Sequence, residues 1–373
     1  MNQAVGIRAI AVNFPEQVRT NDYWQTNYPE FLVELEQKNQ KVRLFDNDAQ
    51  ANINWVQAIK PYREDIFRGA LERRVLAEGE SSIALECGAI QKVLQSKKLE
   101  INDVDLLISC AMFPERLVIG NATIIARELG FRGVAWNLNT SCSGALAALS
   151  NAVALVQNNN FNRVLVSLSC NYSKYVKYTN SFSFTVGDGA AAFIVEKCEE
   201  GQGLIHSYST NTYDTCDVVY PQFTVDFNGQ PTILITVNKE TVKYATSLFV
   251  KYFQKCCTQV LAESHIKIED IDFFICFAAA AGYADFCALE LNIPQSKTID
   301  IFPIYANISC VSVIAGLYHA AELKKIQQDD LVMIYSHGFS GTSIASIVRW
   351  GDVVLGPPPN RSENLSATLV GVR

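Results

Sequence analysis

The sequence predicts an α/β protein assembled from two similar halves. Three observations carry that reading. Short β-branched runs alternate with helix-length amphipathic segments, the alternation restarts near residue 200, and no low-complexity stretch interrupts the chain between them. In the first half, "VDLLISCAMF" (104–113), "RVLVSLSCNY" (163–172) and "AAAFIVEK" (190–197) read as strands, because apolar runs of this length suit a sheet buried on both faces. "SIALECGAIQKVLQSKK" (82–98) and "SGALAALSNAVALVQN" (143–158) read as the helices between them. The second half predicts a helix over 239–264, the strand "IDFFICF" (271–277), a helix near 283–292 and the strand "TIDIFPIYA" (298–306). A helix over 311–325 and the strands "DLVMIYSHG" (330–338) and "SIASIVRWG" (343–351) close the pattern. Residues 20–66 predict an inserted, mostly helical segment, and 209–230 a loop. "PPPNRSENLSATLVGVR" predicts a tail, since three prolines continue neither strand nor helix. The expected division is 1–200 and 201–373, two halves of one unit.

Composition narrows the function classes. The 373 residues are 49% hydrophobic and 18% charged, the balance of an ordinary soluble protein. A net charge of -7 leaves no basic footprint for nucleic acid. No window approaches about 18 uninterrupted apolar residues, so no membrane span is expected. The opening "MNQAVGIRAIAVNFPEQ" lacks the pattern of a secretory signal, which predicts a cytoplasmic protein with reduced thiols. The eleven cysteines have no metal-like spacing, Cys256 and Cys257 being adjacent and the rest scattered, and neither metal nor cofactor is expected.

One cysteine stands apart. In "NLNTSCSGALAALSNAVALV" (137–156), Cys142 falls where the strand "VAWNLNTSC" turns into a helix of almost pure core character. Helix N-termini carry partial positive charge and unpaired N–H groups, which predicts a favoured thiolate. The small neighbours Ser143, Gly144 and Ala145 leave room for a substrate. Two readings follow from the local pattern, an activated nucleophile and a core cysteine at the start of a buried helix.

Taken together, "WNLNTSCSGALAALSNAVALV", "RVLVSLSCNYSKY" and "FTVGDGAAAFIVEK" resemble the β-ketoacyl-acyl-carrier-protein synthase III (KAS III) group of the thiolase superfamily. The likeness extends to "AVNFPEQVRTND", to the arginine-bearing "FRGALERRVLAEGESSIALECGAIQKVL", to "IYANISCVSVIAGLYHAAEL" and to "DLVMIYSHGFSGTSIASIVRW". The resemblance implies a thiolase-like five-layer αβαβα fold with two pseudo-equivalent halves, as a homodimer. It implies an acyltransferase whose acyl-CoA or acyl-carrier-protein thioester loads Cys142, with acyl carrier protein as a partner. Asn307 in "YANIS" takes the place of the family asparagine. The closing glycine turn, with Gly338, Ser340 and Gly341, takes the place of an oxyanion-hole loop. Gly187-Asp188-Gly189 is expected to be structural.

The pattern breaks at one position. Where the family places a histidine before Gln-Ala-Asn, this chain reads "ICFAAAAGY", with Phe277 at the histidine position. Phenylalanine neither donates a hydrogen bond nor takes up a proton. Of the four histidines, His265 reads as solvated at a helix end, His319 as packed on an apolar helix, and His206 as a loop residue without a motif. His337, on the closing turn, is the candidate substitute base. The family's malonyl decarboxylation uses histidine and asparagine to hold an enolate, and losing such a donor costs about 10²–10³ in rate. The expected activity is therefore acyl transfer from Cys142 to a reactive carbon, hydroxyl or amine in polyketide- or fatty-acid-type specialised metabolism. Two alternatives stay open: a non-catalytic partner subunit of a heterodimeric synthase, and a decarboxylating synthase using His337. Thiolase or hydroxymethylglutaryl-CoA synthase chemistry also leans on the missing histidine. The strand 163–172 is the expected sheet edge at the dimer axis.

Overall fold

The computed structural model describes residues 3–38, 52–225, 229–238, 240–339, 341–360 and 362. The chain opens with β1 (Val5–Asn13), then pairs two short strands, β2 (Val18–Thr20) and β3 (Glu72–Arg74). Between these lie α1 (Asp22–Asn27), α2 (Pro29–Lys38) and α3 (Ile53–Ile59). The first half continues through α4 (Ser82–Lys97), β4 (Leu106–Ala111), α5 (Ala122–Leu129), β5 (Val134–Asn137), α6 (Gly144–Gln157), β6 (Val164–Asn171) and β7 (Asp188–Lys197). The second runs β8 (Gly203–Asn211), the hairpin β9 (Val219–Val225) and β10 (Pro231–Val237), α7 (Ala245–Ser264), β11 (Phe273–Cys276) and α8 (Tyr283–Leu291). It ends with α9 (Phe302–Tyr305), α10 (Val311–Glu322), β12 (Leu331–His337), β13 (Thr342–Arg349) and β14 (Val354–Leu355).

These elements form five layers. One sheet has the order β14-β1-β7-β6-β4-β5, the other β11-β12-β13-β8. Helices α6 and α10 lie between the sheets and pack on strands of both. On the outside, α4 and α5 cover the first sheet, while α7 and α8 cover the second. Sheets covered on both faces need strands without polar alternation. All six residues of β4, all eight of β6 and all seven of β12 are accordingly buried. A buried carboxylate interrupts the apolar interior of the first half. Glu86 on α4 accepts from Ser109 (2.8 Å), Ser167 (2.5 Å), Ser169 (2.7 Å) and Asn121 (2.7 Å), so its desolvation is offset by four donors.

Three local expectations are corrected. The strand expected over 298–306 is the short helix α9, and only Thr298 keeps a bridge, to Phe274. Pro303 has no N–H for a ladder, and Asp300 Oδ1 accepts from Phe302 N (2.9 Å), which starts a helical turn instead. The loop expected over 209–230 contains β9, which pairs antiparallel with β10, both strands being rich in β-branched residues. The strand over 163–172 is not a sheet edge: β6 lies between β4 and β7, and the edge strands are β14 and β5. What hid this is that β6 is mostly apolar and buried along its whole length, whereas the short β5 exposes Val134 and Trp136.

The inserted segment is helical as expected where it is described, residues 39–51 lying outside the described residues. Arg73 anchors it. Its buried guanidinium lies 4.5 Å from the centre of Trp24 and donates to Asn21 Oδ1 (2.8 Å), and burial lowers its pKa to about 9. The tail begins with β14, which pairs parallel with β1 before the prolines. Among the described residues, no helix is long and apolar enough to cross a membrane.

Candidate active site

After β5 the chain reverses through residues 138–143 and enters α6 with Ser143 at the N-cap. The reversal puts Ser141 in the left-handed region (φ 57°), a costly conformation for a residue with a side chain. Asn139 Oδ1 accepts from Ser141 N (2.9 Å), and Ser143 Oγ donates to Thr140 O (2.7 Å), which holds the turn. Cys142 sits on this corner, as expected, with its sulfur in the wall of a cavity of about 390 Å³. The cavity draws on both halves and on the inserted segment: Phe31 and Trp55 line it beside Tyr172, Phe249, Phe277 and Asn307.

The electrostatics at Cys142 differ from the expected thiolate. The residue is only 3% exposed, and burial raises its pKa above that of a free thiol. Hydrogen bonds from Ser309, Ser141 and Tyr172, and the residue's own N–H, act in the opposite direction. Ser309 Oγ lies 3.3 Å from Sγ and Ser141 Oγ 3.9 Å. Position before a helix does not favour the thiolate here, because desolvation outweighs the helix field. Sequence reasoning singled out neither Ser309 nor Tyr172 beside this sulfur. The signal was available, since Ser309 follows Asn307 by two residues and Tyr172 ends the motif-bearing strand.

Asn307 faces the same cavity. Its backbone is locked from both sides: its N–H donates to Thr185 O (2.9 Å) and its carbonyl accepts from Gly187 N (3.1 Å). A Cβ on Gly187 would come within 2.4 Å of Tyr305 O, so this close approach requires glycine. The side chain also makes an Asx turn, Oδ1 accepting from Ser309 N (2.8 Å). That leaves Nδ2 to donate into the cavity.

Phe277 follows β11, with its N–H bonded to Tyr335 O (3.1 Å), and its ring lines the cavity. It packs 5.2 Å from Tyr283 and 6.2 Å from Phe249. Among the described residues, no imidazole lines the cavity. His337 is fully buried outside the cavity wall, its ring 4.2 Å from Phe249, 5.7 Å from Phe339 and 6.5 Å from Phe277. Its Nδ1 meets Ser343 Oγ (3.1 Å), its Nε2 has no partner among the described residues, and burial lowers its pKa to about 3. His337 is thus absent from the described lining of the cavity, and its burial among aromatic rings favours the neutral form. His319 is packed as expected, against Tyr305 OH (3.0 Å) and Glu322 (3.2 Å). His206 pairs with Glu263 (2.8 Å), and His265 ends α7 in the left-handed region.

The closing turn is also redrawn. Gly338 donates its N–H to Thr342 O (2.9 Å) and Gly341 its own to Thr212 Oγ1 (3.4 Å), so neither is free for a substrate oxygen. Ser340 lies outside the described residues. Phe339 is the turn residue that lines the cavity. The two glycines serve close packing, since a Cβ on either would meet Thr140 O, at 2.4 Å for Gly338 and 2.8 Å for Gly341. Gly338→Ala is expected to cost about 1–3 kcal/mol of stability, read as a lower Tm, because the turn must move off the elbow. Among the described residues, no group of three or more His, Cys, Asp or Glu side chains is placed to hold a metal ion.

Residues 136–213 match the family described as 3-oxoacyl-[acyl-carrier-protein (ACP)] synthase III, and residues 261–350 match its C-terminal model. The β-ketoacyl-[acyl-carrier-protein] synthase III of Brucella suis is 27% identical over 290 residues, covering 76% of this chain and 88% of that one. The enzyme of the same name from Chelativorans sp. matches at the same identity and coverage. In three dimensions, the synthase III of Thermus thermophilus aligns with a TM-score of 0.74 at 22% identity, covering 93% of this chain and 99% of that one. OleA of Xanthomonas campestris, solved with bound lauric acid and lauroyl-CoA, aligns with a TM-score of 0.74 at 14% identity, covering 94% and 100%.

The five layers and a cysteine on the elbow between strand and central helix define a thiolase-superfamily enzyme of the acyl-transferring, ketosynthase type. Within that superfamily the chain is a KAS III-like protein.

Proposed function

We propose that this enzyme takes an acyl group from a CoA or acyl-carrier-protein thioester onto Cys142 and passes it to an acceptor that is already nucleophilic, without efficient malonyl decarboxylation. The observation that carries the reading is the composition of one cavity wall: Cys142 and Asn307 are present, and Phe277 stands where an imidazole is expected. In the first half-reaction Sγ attacks the thioester carbonyl, the new C–S bond forms and the carrier thiol leaves. The oxyanion is received by the N–H of Cys142 and by that of Phe339, which donates to no protein group among the described residues. In the second, a hydroxyl, an amine or the acidic carbon of a β-ketoacyl thioester attacks the acyl-Cys142 carbonyl. The aromatic and aliphatic side chains in the wall, Phe31, Leu35, Trp55, Ile59 and Phe249 among them, suit an acyl chain, and OleA, of like fold, was solved with lauroyl-CoA bound. Such transfers belong to polyketide- or fatty-acid-type specialised metabolism in the cytoplasm. Intact-protein mass spectrometry after incubation with a panel of acyl-CoA and acyl-carrier-protein thioesters tests the reading. A single acyl adduct mapped to Cys142 supports it, and an adduct on another cysteine sinks it.

The enzyme is proposed to work as a homodimer. Strand β5 is a sheet edge with Val134 and Trp136 exposed, and the nearby loop exposes Leu117, Val118 and Ile119, Val118 at 98%. Unpaired apolar edges are sites of strand addition, and a two-fold axis at β5 would cover this one. Light scattering at micromolar concentration is expected to give a dimer for the wild type and a monomer for Trp136→Glu. A monodisperse wild-type monomer would contradict the proposal.

A further inference from the structure

We propose that Tyr172 and Ser309 are catalytic residues, their two hydroxyls donating to the Cys142 sulfur and stabilising the negative charge it develops as it attacks a thioester. The proposal rests on the acyl-transfer reading above and deepens it. The two groups come from opposite halves of the fold. Tyr172 follows β6 in the first, and Ser309 precedes α10 in the second.

Ser309 Oγ stands 3.3 Å from Sγ, within range of a hydrogen bond to sulfur. Its aim is preset, because its backbone is left-handed (φ 53°) and its N–H is tied to Asn307 Oδ1 (2.8 Å). The Tyr172 ring is held edge-on between Phe113 (5.6 Å) and Phe182 (6.2 Å). Tyr172 lines the same cavity as Cys142, and its phenol lies near enough to interact with both the Cys142 thiol and the Ser309 hydroxyl. Burial holds that phenol's pKa well above the ordinary value, so it remains a proton donor throughout the working range. The other titratable groups facing the sulfur are the thiols of Cys170 on β6 and Cys310 at the start of α10. Burial raises both, so they contribute no charge. With Phe277 mute, these two hydroxyls join Ser141 and the residue's own N–H in offsetting the desolvation of the sulfur.

The step balances without a further reactant. The Sγ–C bond forms as the carbonyl C–S bond to the carrier breaks, and the proton that leaves Cys142 ends on the departing carrier thiol. Tyr172 and Ser309 keep their own protons and strengthen their hydrogen bonds as charge appears on sulfur.

The test uses the full chain and needs no thioester. Iodoacetamide alkylation of Cys142 is followed by peptide mass spectrometry from pH 6 to pH 10, since the thiolate is the reacting species. Tyr172→Phe and Ser309→Ala are each expected to move the inflection upward by about one pH unit, which is about tenfold slower alkylation on the rising limb. Ser309→Gly, whose backbone suits the left-handed φ, repeats the measurement should the alanine variant fold poorly. A fluorinated tyrosine at position 172, nearly isosteric and a stronger donor, is expected to move the inflection downward. Unmoved inflections in the folded variants at both positions would overturn the proposal, whatever the thioester panel shows. Shifted inflections with no acylation by any thioester would keep it and reject the transfer reading.

Discussion

Cys142→Ala, incubated with a thioester that the wild type accepts, is expected to carry no acyl adduct while keeping its Tm within a few degrees. The expected loss is complete within detection, because no second thiol among the described residues lines the cavity. The site's geometry makes the assignment specific. Cys110, Cys170, Cys256, Cys257, Cys276, Cys287 and Cys310 are buried, and Cys142 is the cysteine in the wall of the substrate-sized cavity. Cys216 is exposed and serves as an internal control, since non-specific acylation by reactive thioesters would appear there. Stability should change little, because the thiol's hydrogen bonds are weak and its packing volume is small. Peptide mapping of wild type and variant checks both statements. Labelling that persists in Cys142→Ala would end the nucleophile assignment and bring forward the partner-subunit alternative.

The second large effect concerns carbon dioxide. Release from malonyl-CoA or malonyl-carrier protein is expected to run at least about 10²-fold below that of a synthase that retains the histidine, because one enolate donor is absent. Asn307 Nδ2 supplies a single neutral hydrogen bond, which contributes only about 1 kcal/mol net. His337→Ala should leave the residual rate unchanged, since that ring is neutral and screened by Phe249, Phe277 and Phe339. Nor should Phe277→His restore the step: Ala278, Ala279, Ala280 and Ala281 follow, and none can orient an imidazole. Single-turnover loss of acyl from Cys142 to added amines, hydroxyls and β-ketoacyl thioesters, measured on the same preparation, should proceed regardless. Labelled carbon dioxide released rapidly by the wild type would reject the non-decarboxylating reading.

How far the sequence foretold the site depends on the kind of signal each residue leaves. Cys142, Asn307 and Phe277 were legible because each sits inside a motif whose neighbours set its place, and the structure brings all three to one cavity. The layered fold was legible because strands buried on both faces leave unbroken apolar runs. Sheet order was not, since β5 and β6 differ in length and exposure in ways that patterning does not rank. The thiol's electrostatics were misjudged for a physical reason. A helix N-terminus is visible in sequence, whereas the depth at which a turn is buried is a property of the whole fold. Tyr172 and Ser309 escaped because a hydroxyl becomes functional only through what it faces. The surroundings of His337 were hidden in the same manner: one strand places it beside the turn, but helix α7 supplies the Phe249 ring that packs against it.

The placement of β14 bears on how the protein is made. Gly356 N donates to Ile10 O (2.7 Å), Tyr318 OH to Gly356 O (2.9 Å) and Arg74 Nη2 to Asn360 O (2.7 Å), so residues 354–360 strap the first strand to the second half. During synthesis, β1 therefore leaves the ribosome some 340 residues before its partner, and one flank of the first sheet stays unpaired until nearly the whole chain has emerged. Closing so long a loop is slow. An exposed β1 is open to wrong pairing in that interval, and emergence of residues 354–360, not completion of the first half, is the event that pairs this flank.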